Sequence, residues 1–261
     1  MNILETIVAS KVKEVEERQA KTSVSALEKS SLFNREILSL KQSILDPAKT
    51  GIIAEFKRRS PSKGIINDRS SVMDVTGGYV EGGASGLSIL TDTNYFGGYN
   101  EDLLAAREHR IPILRKDFII DEYQVVEARS MGADAILLIA SSLSPVRVRE
   151  LAKFANELRL EVLLELHEEE ELEHINEFTK LVGVNNRNLK TFEVDMDKSI
   201  RMAEKIGTSR VRIAESGIGS VEDILSFRKF GFDGFLIGEY FMKQHDPAAA
   251  FSAFTKKLRT T

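Results

Sequence analysis

The chain of 261 residues contains no cysteine, and that absence removes disulfides, thiol nucleophiles and thiolate metal ligands together. It fits a reducing compartment. Basic residues are not in excess either. The net charge is −4, so no global field draws the protein to nucleic acid or to an anionic membrane. The basic run at 57–59 is too short to change that. No stretch approaches the ~18 consecutive apolar residues of a membrane span. The N-terminus lacks the basic region of a signal peptide and carries Glu5 within its first apolar stretch. Proline numbers only 5, and no linker rich in Pro, Gly or Ser interrupts the chain. A cytoplasmic, one-domain protein without nucleic acid or membrane partners is expected. No feature of the sequence points to a protein partner, so a monomer is expected too.

What is present is alternation. Apolar residues make up 42% of the chain, enough for one large core, and the length is the usual size of one (β/α)₈ barrel. Residues 2–20 read as a helix with Ile3, Leu4, Ile7, Val8, Val12 and Val15 on one stripe and Lys11, Lys13, Glu14, Glu16 and Glu17 elsewhere. A second helical segment is expected at 35–45, ending near Asp46-Pro47. Short apolar runs then follow at 51–56, 86–91, 111–115, 134–140, 161–166, 181–185, 210–214 and 233–237. Helix-patterned segments lie between them, for example 121–131, 144–159 and 220–230, with Ser144-Pro145 and Ser220 as helix starts. Eight strands each followed by a helix predict an α/β fold, a single (β/α)₈ TIM barrel over 1–261 with residues 1–48 as an N-terminal helical extension. An open doubly wound sheet would show a Gly-rich nucleotide fingerprint after its first strand, and none is there. Gly77-Gly78 and Gly82-Gly83 lack a Walker lysine and serine and read as packing glycines.

In such a barrel the reactive face lies at the C-terminal ends of the strands. The first run ends in Glu55 and Lys57, which at i and i+2 share a face. The second leads into the aromatic, glycine-rich Asn94-Tyr-Phe-Gly-Gly98, the third delivers Lys116, and the fifth carries Glu165 among leucines. The sixth ends Gly183-Val-Asn-Asn-Arg-Asn-Leu189, the seventh Ala214-Glu-Ser-Gly-Ile-Gly219 and the eighth Leu236-Ile-Gly-Glu239. Two lysines and three glutamates (Glu55, Glu165, Glu215) thus converge on one rim. A lysine beside other cations is driven toward a working acid, while neighbouring glutamates hold it charged. A glutamate desolvated among leucines is expected to have a raised pKa and to serve as base or acid.

Ser216-Gly217 and Gly238 offer backbone N–H groups to a phosphate, with Arg187 and Lys57 or Arg59 as cationic partners. Glu239 suits such a site only if its backbone faces the anion or it caps the next helix. Ser216 has no activating histidine in its motif and reads as a binding group. His167, His174 and the glutamates at 168–171 lack metallohydrolase spacing and read as a solvated helix start, so no metal is expected.

These blocks together resemble the indole-3-glycerol phosphate synthase family. The resemblance runs through Ile3-Leu-Glu-Thr-Ile-Val-Ala-Ser-Lys11, Ile53-Ala-Glu-Phe-Lys-Arg-Arg-Ser-Pro-Ser62, Ser88-Ile-Leu-Thr-Asp92 and Leu114-Arg-Lys-Asp-Phe118. It continues in Leu163-Leu-Glu-Leu-His167, Gly183-Val-Asn-Asn-Arg-Asn-Leu189, Ala214-Glu-Ser-Gly-Ile218 and Phe235-Leu-Ile-Gly238. It implies a lyase of tryptophan biosynthesis that closes the indole ring of a carboxyphenylamino deoxyribulose phosphate, losing CO2 and water without a cofactor. By the same resemblance Lys116 is the general acid, Glu165 the base of the dehydration half, and Lys57 the clamp on the substrate carboxylate. Glu55, Asn185, Glu215 and Ser216 hold sugar hydroxyls and tune the lysines. Gly217, Gly238 and Glu239 fall at the phosphate with Arg187 close by, and Ser60 is a further substrate-binding residue. Pro61, Phe96, Phe118, Leu137 and Leu189 form the apolar slot for the anthranilate ring. Tryptophan is absent, so a contact from the N-terminal helix falls to aliphatic groups such as Ile7. Two alternatives stand beside this reading: another phosphosugar barrel enzyme (an isomerase, or an aldolase using Lys116 as a Schiff base), and a barrel that only binds a phosphorylated ligand.

Overall fold

The computed structural model describes residues 3–187 and 195–261. Eight parallel strands close on one another: β1 Ile52–Phe56, β2 Gly86–Leu90, β3 Ile113–Lys116, β4 Ala135–Ile139, β5 Glu161–Leu166, β6 Leu181–Asn185, β7 Val211–Glu215 and β8 Gly234–Ile237. Neighbours in sequence are neighbours in the barrel, and β8 pairs with β1. The expected (β/α)₈ architecture is therefore what the chain adopts, with the third strand displaced. The run anticipated at 111–115 becomes Ile113–Lys116, because Pro112 has no N–H for the ladder and contributes only its carbonyl, to Leu87. Among the described residues no helix is long and apolar enough to cross a membrane.

The helices begin where capping chemistry dictates. Ser144 accepts from Arg147 N ahead of Pro145–Glu157, and Ser220 accepts from Asp223 N ahead of Val221–Lys229. The segment after β5 is a 3₁₀ turn, Glu169–His174, rather than a full α-helix. Gly78 and Gly82 let the helix Val72–Glu81 and its end touch the last helix, Pro247–Thr260: a Cβ on them would meet Ala248 at 2.3 Å and Phe251 at 2.5 Å.

Strand alternation sorts the core into two layers. Ile53, Leu114, Leu137, Leu163, Ile213 and Leu236 point into the barrel, closed from below by Leu40 and Ile44. Ile52, Ala54, Ile136, Leu164 and Val182 point outward against the helices. The plug comes from a helix of only Leu40–Leu45, shorter than the 35–45 expected, because Arg35 is spent on pinning Gly132 O, Ala133 O and Asp134 to the preceding loop.

The N-terminal helix Ile3–Lys21 departs from its expected stripe. Ile3 and Val12 are exposed, and the buried residues are Ile7, Lys11 and Val15. Lys11 is 0% exposed, with its Nζ 2.9 Å from each of Glu14, Asp92 and Asp117. The helix is thus fastened to the barrel through a buried cation, which places Ile3, Leu4 and Ile7 at the barrel mouth.

Candidate active site

The two-residue strand period carries the interior face upward from leucine and isoleucine to charge. Ile53 is followed on its face by Glu55, Leu114 by Lys116, Leu163 by Glu165 and Ile213 by Glu215, and the charged layer forms the floor of a cavity. Lys116 Nζ lies 2.6 Å from Glu165 Oε2 and 3.1 Å from Glu215 Oε2. Asn185 Nδ2 donates to Glu165 Oε1 at 3.2 Å. Across the floor, Lys57 Nζ lies 2.6 Å from Glu55 Oε1, while Ser88 Oγ reaches Glu55 Oε2 at 3.5 Å.

Two glycines make room for these carboxylates. A Cβ on Gly183 would stand 2.0 Å from Glu215 Oε1, and one on Gly238 would stand 2.5 Å from Glu55 Oε1. Ser216 and Gly217 follow β7 with φ of 68° and 74°. Ser216 is one of the few non-glycine residues in that left-handed region, which costs on the order of 1 kcal/mol and marks a turn held for a purpose.

The electrostatics of the floor are asymmetric. Burial works against the Lys116 ammonium, but the carboxyls of Glu165, Glu215 and Glu55 outweigh it and hold the group charged, with its pKa above the usual lysine range. Burial also pushes Glu165 up, yet Lys116 and His167 overcome it and bring the carboxyl down to about 2. This corrects the expectation of a raised value: the leucines beside Glu165 belong to the strand's other face and the layer below, while its carboxyl meets an ammonium. Glu215 takes the opposite course. Burial and the charge of Glu165 push it up to about 8 against the pull of Lys116.

Around this floor the cavity wall collects the remaining expected residues. Phe96 and Phe118 pack at 5.9 Å between ring centroids, and together with Pro61 and Leu137 they line one side. Ser60, Ser216, Gly217 and Gly238 line it toward the other loops. Leu189 lies outside the described residues. Arg187 and Glu239 are in the wall too, but bound to each other: Arg187 Nη2 donates to Glu239 Oε2 at 2.9 Å, and Nη1 to Ser62 Oγ at 3.2 Å. Glu239 therefore opens the helix Glu239–Met242 with its carboxylate turned to an arginine. Arg59 points elsewhere, donating to the carbonyls of Thr93 and Asn94.

Ile7, the aliphatic contact anticipated from the N-terminal helix, roofs the cavity together with Ile3 and Leu4. One wall residue was not expected. His167 is 3% exposed and faces the cavity, with Nε2 3.3 Å from Glu165 Oε1, which overturns its reading as part of a solvated helix start. Its position two residues after Glu165 is the signal that strand periodicity held and helix-start reasoning obscured.

A family model described as indole-3-glycerol phosphate synthase matches residues 4–254. A protein of that name from Bacteroides thetaiotaomicron is 44% identical over 259 residues, 99% of each chain. Another, from Chromobacterium violaceum, is 42% identical over 258 residues, covering 96% of this chain and 97% of that one. In structure, a mutant tryptophan synthase alpha-subunit from Pyrococcus furiosus superposes with a TM-score of 0.61 over 82% of this chain and 99% of that one. Its identity of 16% makes that a likeness of fold alone.

Proposed function

Because this chain belongs to the indole-3-glycerol phosphate synthase family, we propose that it converts 1-(2-carboxyphenylamino)-1-deoxyribulose 5-phosphate to indole-3-glycerol phosphate, a step of tryptophan biosynthesis. The observation that carries this reading is an ammonium, Lys116, held between Glu165 and Glu215 on the floor of a cavity with an aromatic wall. Ring closure puts negative charge on the ribulose carbonyl oxygen, and a positioned acid lowers that barrier. Lys116 supplies the proton as the ring carbon bearing the carboxylate attacks. The C–C bond to the carboxylate then breaks, its electron pair returns to the ring, and CO2 leaves. In the second half Glu165 removes a proton and the hydroxyl leaves as water, protonated from the lysine pair. The sum is loss of CO2 and H2O with no net oxidation, so the reading calls for no cofactor.

Binding orients the substrate at both ends, which is where such a reaction gains most. Phe96, Phe118, Pro61 and Leu137 take the anthranilate ring, and Lys57, steadied by Glu55, takes its carboxylate. The backbone at Ser216, Gly217 and Gly238 takes the phosphate. Arg187 joins them only by sharing its guanidinium with Glu239. The hold of Glu165 and Glu215 on Lys116, which keeps its ammonium charged, counts against a Schiff-base aldolase, which needs a free amine. We further propose that the protein acts as a monomer in the cytoplasm, where a phosphorylated substrate is retained; sedimentation at micromolar concentration checks the first point. The decisive experiment mixes purified protein with the carboxyphenylamino ribulose phosphate and follows indole fluorescence. Ligand binding without any indole signal would sink the proposal.

A further inference from the structure

Glu165 has few partners for a buried carboxylate: Lys116 on Oε2 at 2.6 Å and the neutral amide of Asn185 on Oε1 at 3.2 Å. When Lys116 is drawn to the substrate and gives up its proton, that ionic partner is weakened. A buried carboxylate left with one neutral hydrogen bond takes up a proton easily and is then lost as a base. The Asn185 side is where a second donor is needed.

His167 stands there. Two residues beyond Glu165, it is turned to the same interior side, and its Nε2 lies 3.3 Å from Glu165 Oε1 without the alignment of a hydrogen bond. Neither ring nitrogen has a hydrogen-bond partner among the described residues, although only 4% of the side chain is exposed. Buried polar groups are rarely left so. The nearby His174 shows the ordinary outcome, with its nitrogens matched to the carbonyls of Glu171 at 3.0 Å and Leu143 at 2.9 Å. His167, with both nitrogens unmet, instead lines the reaction cavity.

We propose that His167 is a positioning residue for Glu165, turning its Nε2–H onto Oε1 as Lys116 engages the substrate. The donor keeps Glu165 ionised and leaves its Oε2 side free to take the proton in the dehydration half. This rests on the synthase reading, which wild-type turnover tests separately and first. His167→Phe keeps ring volume without a donor, and His167→Gln returns an amide N–H at similar reach. His167→Phe is expected to lower kcat about 10- to 100-fold with KM within about threefold, and His167→Gln to recover most of the loss. Wild-type kcat in His167→Phe, or equal loss in both variants at unchanged thermal midpoint, overturns the proposal. A readout free of turnover is the imidazole ¹⁵N spectrum, with the His167 signals assigned by their disappearance in His167→Gln. The Nε2 resonance is expected to move on Lys116→Met and on Glu165→Gln. If neither substitution moves it, the ring does not act through Glu165.

Discussion

Lys116 Nζ stands 2.6 Å from Glu165 Oε2, so the proposed acid and the proposed base hold each other before any substrate arrives. The pairing explains why neither group titrates near its ordinary value: each is buried and each stabilises the other's charge. Replacing Lys116 by Met keeps the side chain's length and removes the proton. Turnover should fall by roughly 10²- to 10⁴-fold, the usual worth of a positioned acid. Indole fluorescence under saturating substrate measures it, and wild-type kcat in this variant would rule Lys116 out as the acid.

Among the described residues Lys57 has one carboxylate partner, Glu55 at 2.6 Å, and is 17% exposed in its side chain. A clamp on the substrate carboxylate contributes equally to the bound substrate and to the transition state for the first bond. Lys57→Ala should therefore raise KM, by about 10-fold or more, with a smaller effect on kcat. A large fall in kcat at unchanged KM would move Lys57 from binding to proton transfer.

The raised Glu215 gives a stability prediction with a definite sign. Between about pH 4.5, the ordinary glutamate value, and about pH 8, the folded protein keeps a proton that the unfolded chain releases. The unfolded state then binds fewer protons, so stability falls as pH rises through that window, by up to about 1.4 kcal/mol per unit. Glutamine mimics the protonated acid. Glu215→Gln should match the wild-type melting temperature near pH 5, exceed it increasingly toward pH 8, and lose activity as the cost. Thermal melts at pH 5 and pH 8 test this, and a constant offset between them contradicts it.

Much of this site was legible because strand periodicity is a local property. Glu55 and Lys57 share a face by spacing alone, and the same alternation sends Lys116, Glu165 and Glu215 inward from their strands. Eight apolar runs separated by helical patterns were enough for the barrel. What spacing does not carry is distance across the barrel. Whether Glu165 meets leucine or ammonium depends on strands β3 and β7, and its pKa direction was misjudged from its sequence neighbours. Lys11 was hidden for the same reason: a lysine on an amphipathic helix normally faces water, and its carboxylates, Asp92 and Asp117, come from distant strand ends.

Gly183 pairs with Glu165 in the barrel register and lies under Glu215. A methyl group there would sit 2.0 Å from Glu215 Oε1, so Gly183→Ala must push that carboxyl aside. Its backbone needs no positive φ, so the effect is steric. We expect a kcat loss of about 10-fold or more through the displaced Lys116–Glu215 contact, with a destabilisation of about 1–3 kcal/mol. Glu215→Gln/Gly183→Ala should lose little more than the worse single variant, since both act on one contact.

Lys11 is the sharpest test of how the N-terminal helix is held. Its ammonium is buried with Asp92 and Asp117 at 2.9 Å each, and Asp117 also binds Arg115 at 3.1 Å and Thr91 at 2.7 Å. Burial opposes the Asp117 charge, but Lys11 and Arg115 hold its carboxyl well below the ordinary aspartate range. That stability is present above the unfolded value near pH 4 and is lost as pH falls below it. Lys11→Met keeps the packing and leaves two buried carboxylates short of a cation, costing about 3–5 kcal/mol. For a chain of this size the melting temperature should drop by roughly 6–20 °C. Adding Asp92→Asn removes one of the stranded charges and should regain part of the loss, because the penalty lies in the unpaired carboxylate. If the double variant melts no higher than Lys11→Met alone, the ion pair is not what fastens the helix, and the apolar contacts of Ile7 and Val15 must carry it.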